Sequence, residues 1–278
     1  MGRCTVQAAD EILDKTFPVL DKGFVRLVDY MGSDQRIVQA ARVSYGGGTK
    51  TRREDAALID YLLRNDHTSP FEQVVFTFHT KMPIFVARQW VRHRTARLNE
   101  ISGRYSVMAE EFYEPESRDI SEQSRDNKQG RKNEPMEPAR AAKVTETLQS
   151  AHKNAYSAYS DLLEEGTARE LARVVLPLSL YTEWYWQIDL HNLFRFLRLR
   201  MDAHAQREIR AYAEVMHSIA ARVCPAAFES FNRHINGGVR FSNEEMKALN
   251  RMLAGEEHGL EGKKALRFET KLKEGRQI

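Results

Sequence analysis

The sequence has little of what would place it in several common protein classes. Cysteine occurs only at Cys4 and Cys224, in no Cys-x-x-Cys pair, so neither a disulfide framework nor a thiolate metal site is indicated. It contains no run of about 18 apolar residues that could span a bilayer. Residues 1–4 do not begin a signal peptide, so we expect a cytoplasmic location. The net charge of +3 is too small to indicate general nucleic-acid binding.

Hydrophobic periodicity predicts strands and helices that alternate irregularly along the chain. The 278 residues, 42% of them apolar, can supply the core of one large or two modest domains. Because there is no regular strand-helix-strand repeat, this order indicates an α+β domain. The clearest strand covers residues 178–189, where Trp184 and Trp186 share an apolar face. The predicted strands cover 23–30, 74–81 and 178–189, and the predicted helices cover 34–43, 54–65, 141–165, 168–177, 190–201 and 205–223, with another beginning at Pro83.

Two stretches lack this apolar pattern. Residues 114–138 contain almost no large apolar side chain, which indicates a surface insertion outside the core. After the turn at residues 236–238, the chain continues as a charged tail whose order the sequence leaves open. We therefore expect one domain over residues 1–240, with an insertion at 114–138, and a charged C-terminal extension over 241–278.

The densest chemical signal is a basic segment at the end of the helix that begins at Pro83. Residues 92–106 read Arg-His-Arg-Thr-Ala-Arg-Leu-Asn-Glu-Ile-Ser-Gly-Arg-Tyr-Ser. Arginine presents a planar fork of N–H groups that suits phosphate oxygens, so this segment predicts an anionic ligand. The local sequence places no histidine or lysine base beside Ser102, which favours a ligand-binding hydroxyl over a nucleophile. The glycine-rich residues 45–50 lack the Gly-Lys-Ser/Thr spacing of a phosphate loop, so we expect a turn there.

A second group of arginines lies on the helix predicted over residues 190–201. At about 100° per residue, Arg195 and Arg198 fall opposite the apolar arc of this helix. Arg200 falls on the apolar side, between Leu193 and Phe196. Its guanidinium therefore either reaches solvent along a flexible stem or meets a buried partner, and the pattern leaves both possibilities open.

These segments closely resemble the signature motifs of the flavin-dependent thymidylate synthase family. Arg92-His93-Arg94 is followed after seven residues by Ser102, the stretch 196–206 is similar to a second motif, and residues 67–72 are similar to a third. The resemblance covers residues 24–231. It implies the fold of that family, a mixed sheet flanked by helices, assembled as a homotetramer with four active sites at subunit boundaries. Arg97 stands where family members often have serine, and its effect stays open.

The resemblance also implies a set of site residues. Arg200 is expected to contact the uracil ring and to act as the catalytic residue. His67 is left open between a structural role and a place near the flavin or folate. The residues implied to bind dUMP are Gln89, Arg92, Glu100, Ser102, Gly103, Arg104, Arg173 and Arg200. The residues implied to bind FAD are Ser69, Arg92, His93, Arg94, Glu100, Asp189, His191 and Arg195.

The activity implied by the resemblance is the reductive methylation of dUMP to dTMP. It would use FAD as cofactor, 5,10-methylenetetrahydrofolate as one-carbon donor and NADPH as reductant, with no metal, nucleic-acid or membrane partner. One alternative is a non-catalytic nucleotide-binding module. Another is a single-strand-binding protein in which arginines follow phosphates while Tyr105, Trp184 and Trp186 stack on bases. The apolar face shared by the two tryptophans favours core packing instead.

Overall fold

The computed structural model describes residues 5–43, 52–125 and 130–274. The chain divides into two compact units, one formed by residues 1–49 and 68–224 and the other by residues 50–67 and 225–278. Cys4 and the glycine-rich residues 45–50 lie outside the described ranges.

The first unit is built on one five-stranded sheet with the strand order β1-β2-β3-β5-β4. The α+β class expected from the sequence is confirmed. The sheet differs in one detail from the mixed sheet that the resemblance implied, because every pairing among the described strands is antiparallel. The strands are β1 (Thr16–Val19), β2 (Gly23–Met31), β3 (Val75–Pro83), β4 (Arg97–Glu100) and β5 (Tyr181–Asp189).

The inner strand β5 alternates as its sequence predicts. Its even-numbered residues 182–188 are buried, whereas Tyr185 is exposed. Trp184 and Trp186 pack against Trp90, with ring centroids 5.5 Å and 5.3 Å from it. Phe196 completes this cluster, 5.0 Å from Trp90. The two strand tryptophans therefore belong to the core and are not available to stack on bases.

Helices account for most of the remaining chain. Within the described residues, none is long and apolar enough to cross a membrane. The α-helices are α1 (Gln7–Asp10), α2 (Asp34–Arg42), α3 (Arg52–Arg64), α4 (Ile84–Trp90), α5 (Pro138–Glu164), α6 (Arg169–Ala172), α7 (Leu190–Arg200), α8 (Arg207–Val223), α9 (Pro225–Phe231), α10 (Asn243–Leu253) and α11 (Gly262–Glu274).

Helix α8 packs against the β1-β2 hairpin and leaves no room for a side chain at Gly23. The Tyr212 hydroxyl donates a hydrogen bond of 2.7 Å to the carbonyl oxygen of Lys81 on β3. A Cβ atom at Gly23 would overlap that hydroxyl and lie 2.7 Å from the carbonyl oxygens of Lys81 and Val19. Glycine is therefore required here by the close approach of the helix to the sheet.

The second unit contains α3 and the chain after Cys224. Asp60 on α3 accepts hydrogen bonds from Ser230 (3.2 Å), Arg233 (3.0 Å) and His234 (2.8 Å), the last two in a π-helical turn at Asn232–Asn236. The charged tail, whose order the sequence left open, forms α10 and α11. These helices are joined by the buried carboxylate of Glu245, which accepts hydrogen bonds of 2.8 Å and 2.7 Å from Lys271.

The polar segment 114–138 is attached to the first unit more firmly than its composition predicts. Ile120 is buried. Arg131 forms an ion pair with Glu208, a buried residue of α8 that also accepts a hydrogen bond of 3.1 Å from Tyr113. Asp119 pairs with Arg207. These contacts fix the described part of the segment to the start of α8.

Candidate functional site

The first part of the site is the turn that follows α4. The helix ends at Trp90, and the backbone N–H of His93 donates to the Trp90 carbonyl oxygen at 2.9 Å. Arg92 and His93 therefore lie just beyond the helix, whereas the sequence placed them at its end. Arg92 and Arg94 are exposed, and neither forms a hydrogen bond or ion pair with another described residue. Both guanidinium groups are available to an external anion.

Arg200, the last residue of α7, turns inward and binds this turn. Its Nε donates to Nε2 of His93 at 3.0 Å, and its Nη2 donates to the carbonyl oxygen of Gln89 at 3.1 Å. Of the two possibilities that the sequence left open, the structure favours a partner over a free stem, although His93 and Gln89 are half-buried and neither neutralises the charge of Arg200. Burial and the nearby charge of Arg92 lower the pKa of Arg200 from its ordinary value. Arg198 is exposed, as the helical pattern predicted.

His93 is held neutral by its surroundings. Burial, followed by the charges of Arg200 and Arg195, lowers the pKa of His93 to about 4. Its ring lies edge-on to Phe196, with the centroids 4.9 Å apart and an interplanar angle of 76°. A neutral imidazole can accept the hydrogen bond from Arg200, whereas an imidazolium could not.

Gln206 is a member of this cluster that the sequence reasoning missed. Its side-chain oxygen accepts a hydrogen bond from the amide of Gln89. It closes the second motif, at residues 196–206, so its position in that motif was the available signal. Gln89, His93, Arg200 and Gln206 are thus joined by direct hydrogen bonds, and we refer to them as the guanidinium cluster.

Strand β4 carries Glu100 to the edge of the sheet, opposite Trp184 on β5. The carboxylate of Glu100 accepts a hydrogen bond of 2.6 Å from the hydroxyl of Thr182. Thr182 is buried, and sequence reasoning did not include it. Arg97 on the same strand donates a hydrogen bond of 3.4 Å to Gln187.

Residues 101–106 form a compact turn after β4. The Ser102 hydroxyl accepts a hydrogen bond of 3.3 Å from the backbone N–H of Arg104. No described histidine or lysine is bonded to this hydroxyl, which favours a binding role over nucleophilic attack. The Arg104 Nε donates to a carboxylate oxygen of Glu170 at 3.2 Å. Glu170 is a second residue that the sequence reasoning missed, although it lies only three positions before Arg173.

Gly103 brings this turn close to Arg173. A Cβ atom at Gly103 would lie 3.1 Å from the Met108 sulfur and 3.2 Å from the Arg173 Cδ atom. The absence of a side chain therefore permits the turn and Arg173 to approach one another. The structure thus brings together Ser102, Gly103, Arg104 and Arg173, four of the residues that the resemblance assigned to dUMP.

Within the described chain, the remaining residues assigned to FAD form no hydrogen bonds with the guanidinium cluster or with the turn after β4. Asp189 caps α7, since its two carboxylate oxygens accept from the backbone N–H (2.9 Å) and side-chain amide (2.7 Å) of Asn192. His191 and Arg195 follow on α7, half-buried and exposed respectively. Ser69 is exposed at the start of the segment before β3, while His67, also exposed, belongs to the second unit.

The exposed arginine side chains of the site suit a nucleotide. Among the described residues, no three histidine, cysteine, aspartate or glutamate side chains are grouped so that they could hold a metal. Arg92, Arg94 and Arg195 instead present exposed guanidinium groups without carboxylate partners. Such groups fit the phosphates of a dinucleotide such as FAD.

Comparison with known proteins agrees with this chemistry. Residues 26–226 match the family described as thymidylate synthase complementing protein, and residues 239–278 match the thymidylate synthase ThyX C-terminal domain. The flavin-dependent thymidylate synthase of Treponema denticola is 66% identical over 96% of this chain and all of its own length. That of Thermus thermophilus is 58% identical over 87% of each chain.

A solved structure is similar in fold as well. The UMP/dUMP methylase PolB from Streptomyces cacaoi, bound with 5-Br dUMP, matches with a TM-score of 0.72 and 33% identity. The match covers 79% of this chain and 99% of PolB. Together with the sequence relatives, it shows that the chain belongs to the flavin-dependent thymidylate synthase family.

Proposed function

We propose that this enzyme converts dUMP to dTMP by reductive methylation, with 5,10-methylenetetrahydrofolate as the one-carbon donor, NADPH as the reductant and FAD as the bound cofactor. The observation that carries the proposal is the guanidinium cluster, in which Arg200 is turned inward and bound to His93 and Gln89. A solvated arginine would not need two fixed acceptors. The similarity to a methylase bound with 5-Br dUMP supports a pyrimidine nucleotide as the substrate.

We assign the substrate phosphate to the turn after β4. Arg104 and Arg173 supply positive charge, and Ser102 and the backbone at Gly103 supply hydrogen-bonding groups at close approach. An arriving phosphate would compete with Glu170 for the Arg104 guanidinium. Because both side chains of that pair are more than half exposed, the competition costs little.

We assign the uracil ring to Arg200. Methylation at C5 requires that this carbon become nucleophilic, and negative charge then develops along the N3/O2 edge of the ring. A guanidinium that is already oriented stabilises this charge without reorganising during the reaction. When bound, FAD supplies the redox chemistry, and Arg92, Arg94, Arg195 and His191 would hold it.

We further propose that the active enzyme is a homotetramer whose subunits share sites. The resemblance assigns Arg92 and Glu100 to both dUMP and FAD. Both assignments can hold if one chain contributes these residues to the dUMP of one site and a neighbouring chain contributes its own copies to the FAD of the same site. The purified protein should therefore show flavin absorbance and the mass of four chains. A colourless protein that binds no added FAD and forms no dTMP would refute the proposed function.

Substitution of Arg200 tests the assignment of the uracil edge. Arg200→Lys keeps the charge and loses the planar fork, while Arg200→Ala loses both. We expect dTMP formation to fall in both variants, by about 2.7–4 kcal/mol of activation free energy for alanine, as for removal of an oxyanion donor. FAD content and NADPH oxidation should persist. Arg198→Ala, an exposed control on the same helix, should behave like the wild type, and equal mild effects at both positions would contradict the assignment.

A further inference from the structure

The hydrogen bond between Arg200 and His93 fixes the tautomer of the imidazole. Arginine has five N–H donors and no acceptor, so Nε2 of His93 must contribute a lone pair to the 3.0 Å contact. The single ring proton of neutral His93 is then on Nδ1. No other described residue accepts a hydrogen bond from Nδ1, so this N–H is free to donate to a bound molecule.

The same contact determines which edge of the Arg200 guanidinium remains free. Nε and Nη2 lie along one edge of the planar group, and this edge is occupied by His93 and by the Gln89 carbonyl oxygen, 3.1 Å from Nη2. Nη1 and the second hydrogen of Nη2 form the end-on fork, which no described residue occupies. A planar fork of this kind matches a pair of neighbouring acceptor atoms.

The His93 imidazole packs against the aromatic core. His93 meets the buried ring of Phe196 edge-on at 4.9 Å, and Phe196 packs against Trp90 at 5.0 Å and Trp186 at 5.3 Å. The orientation of Nε2 is therefore set by the aromatic packing between α4, α7 and β5. Because Arg200 is hydrogen-bonded to His93, the same packing also restricts the orientation of the Arg200 guanidinium.

We propose that His93 is a positioning residue that holds the side edge of Arg200 through Nε2 and thereby presents the end-on fork to the pyrimidine ring. Its Nδ1–H, which no described residue accepts, stays available to a second bound molecule. This inference rests on the proposed function for the identity of the two ligands, but the pairing of His93 with Arg200 does not depend on it.

Two substitutions of His93 distinguish the role of Nε2 from the role of Nδ1. In His93→Gln, the side-chain oxygen can take the place of Nε2 and accept from Arg200. In His93→Asn, the amide lies at the level of Nδ1 and no acceptor reaches Arg200. We expect His93→Asn to lower dTMP formation roughly 10–100-fold at saturating dUMP, because the lost hydrogen bond involves a charged donor. We expect His93→Gln to recover most of this loss.

A double-mutant cycle tests whether the effect of His93 passes through Arg200. In an Arg200→Lys background the guanidinium edge is absent, so His93→Asn should lower dTMP formation no further. Additive losses in the cycle, or equal losses for His93→Gln and His93→Asn, would overturn the positioning role. FAD content is measured in every variant so that loss of cofactor is not mistaken for loss of positioning.

The tautomer can be measured without any turnover. In protein labelled with ¹⁵N at histidine side chains, the His93 resonances, identified by their disappearance in His93→Gln, should show protonated Nδ1 and unprotonated Nε2 at neutral pH. Protonated Nε2 would overturn the inference. A protein that shows the expected tautomer but forms no dTMP would support the His93–Arg200 pairing while refuting the proposed function.

Discussion

Replacement of Arg131 by methionine should destabilise the first unit, although Arg131 lies in a segment with the composition of a surface loop. Its guanidinium pairs with the Glu208 carboxylate, and the Glu208 side chain is only 4% exposed. Burial alone would raise the pKa of Glu208, but the hydrogen bond and charge of Arg131 hold it below its ordinary value. Methionine fills a similar volume and leaves the carboxylate with the Tyr113 hydroxyl, 3.1 Å away, as a donor.

The size of the expected loss in unfolding free energy follows from the burial of the Glu208 carboxylate. Removing one partner of a buried ion pair costs about 3–5 kcal/mol, and the donors that remain, Tyr113 and Gln206, place this case near about 3 kcal/mol. For a chain of this size each kcal/mol lowers the melting temperature by about 2–4 °C, so we expect a decrease of about 6–12 °C.

The pH dependence of the unfolding free energy gives an independent check of this prediction. A carboxyl group whose folded-state pKa is lowered contributes stability above its unfolded pKa, and this contribution is lost as the pH falls through the folded pKa. In Arg131→Met the pKa of Glu208 should instead rise, because burial is then opposed only by the weaker hydrogen bonds that remain. The difference in unfolding free energy between wild type and variant should therefore be largest at neutral pH and should narrow on acidification.

Thermal unfolding followed by circular dichroism at several pH values measures both effects. Arg118→Met is the matched control, because Arg118 lies in the same segment and its ion pair with Glu116 is exposed. The control should change the unfolding free energy by about 0–1 kcal/mol. Equal melting temperatures for the two variants would refute the reasoning. Replacement of residues 114–138 by a short Gly/Ser linker, expected to be harmless from composition, should cost at least as much as Arg131→Met.

Ser102→Ala should retain dTMP formation and bind dUMP roughly tenfold more weakly, since one hydrogen bond contributes about 0.5–1.5 kcal/mol; a dead variant that still binds dUMP and FAD would show that Ser102 is a nucleophile. Glu170→Gln should release Arg104 and tighten dUMP binding by at most about fivefold, as an exposed pair contributes about 0–1 kcal/mol; weaker binding in a dUMP titration would count against a phosphate at Arg104. Gly23→Ala should lower the unfolding free energy in denaturant titrations by about 1–3 kcal/mol or more, because its Cβ meets the Tyr212 hydroxyl and two carbonyl oxygens; wild-type stability would contradict this packing.

The sequence predicted those elements whose own residues alternate between core and solvent. Strand β5 is the clearest case, although it begins at Tyr181, three residues after the predicted start. Strand β4 was missed because all four of its residues are exposed, so its conformation depends on pairing with β5 and not on a local pattern. Helix α10 carried a readable signal, the capping box of Ser242 and Glu245, which sequence reasoning did not use.

The chemistry of the site was predictable to the extent that its motifs are contiguous. The angular position of Arg200 indicated an unusual environment for a charged group, but it could not identify the partner. His93 lies 107 residues earlier in the chain, and the pairing depends on how α4 and α7 pack around Trp90. Glu170 was missed for a similar reason, because it reaches Arg104 across 66 residues through a turn that the sequence did not place.

The lengths of the strands affect how the sheet behaves toward other molecules. The three inner strands β2, β3 and β5 each contain nine residues, whereas the outer strands β1 and β4 contain four. Pro18 in β1 has no backbone N–H to offer, and Arg97 and Glu100 place charges on β4. Short, charged or proline-containing edges are poor templates for an incoming strand. The two edges of the sheet are thus poor sites for edge-to-edge aggregation.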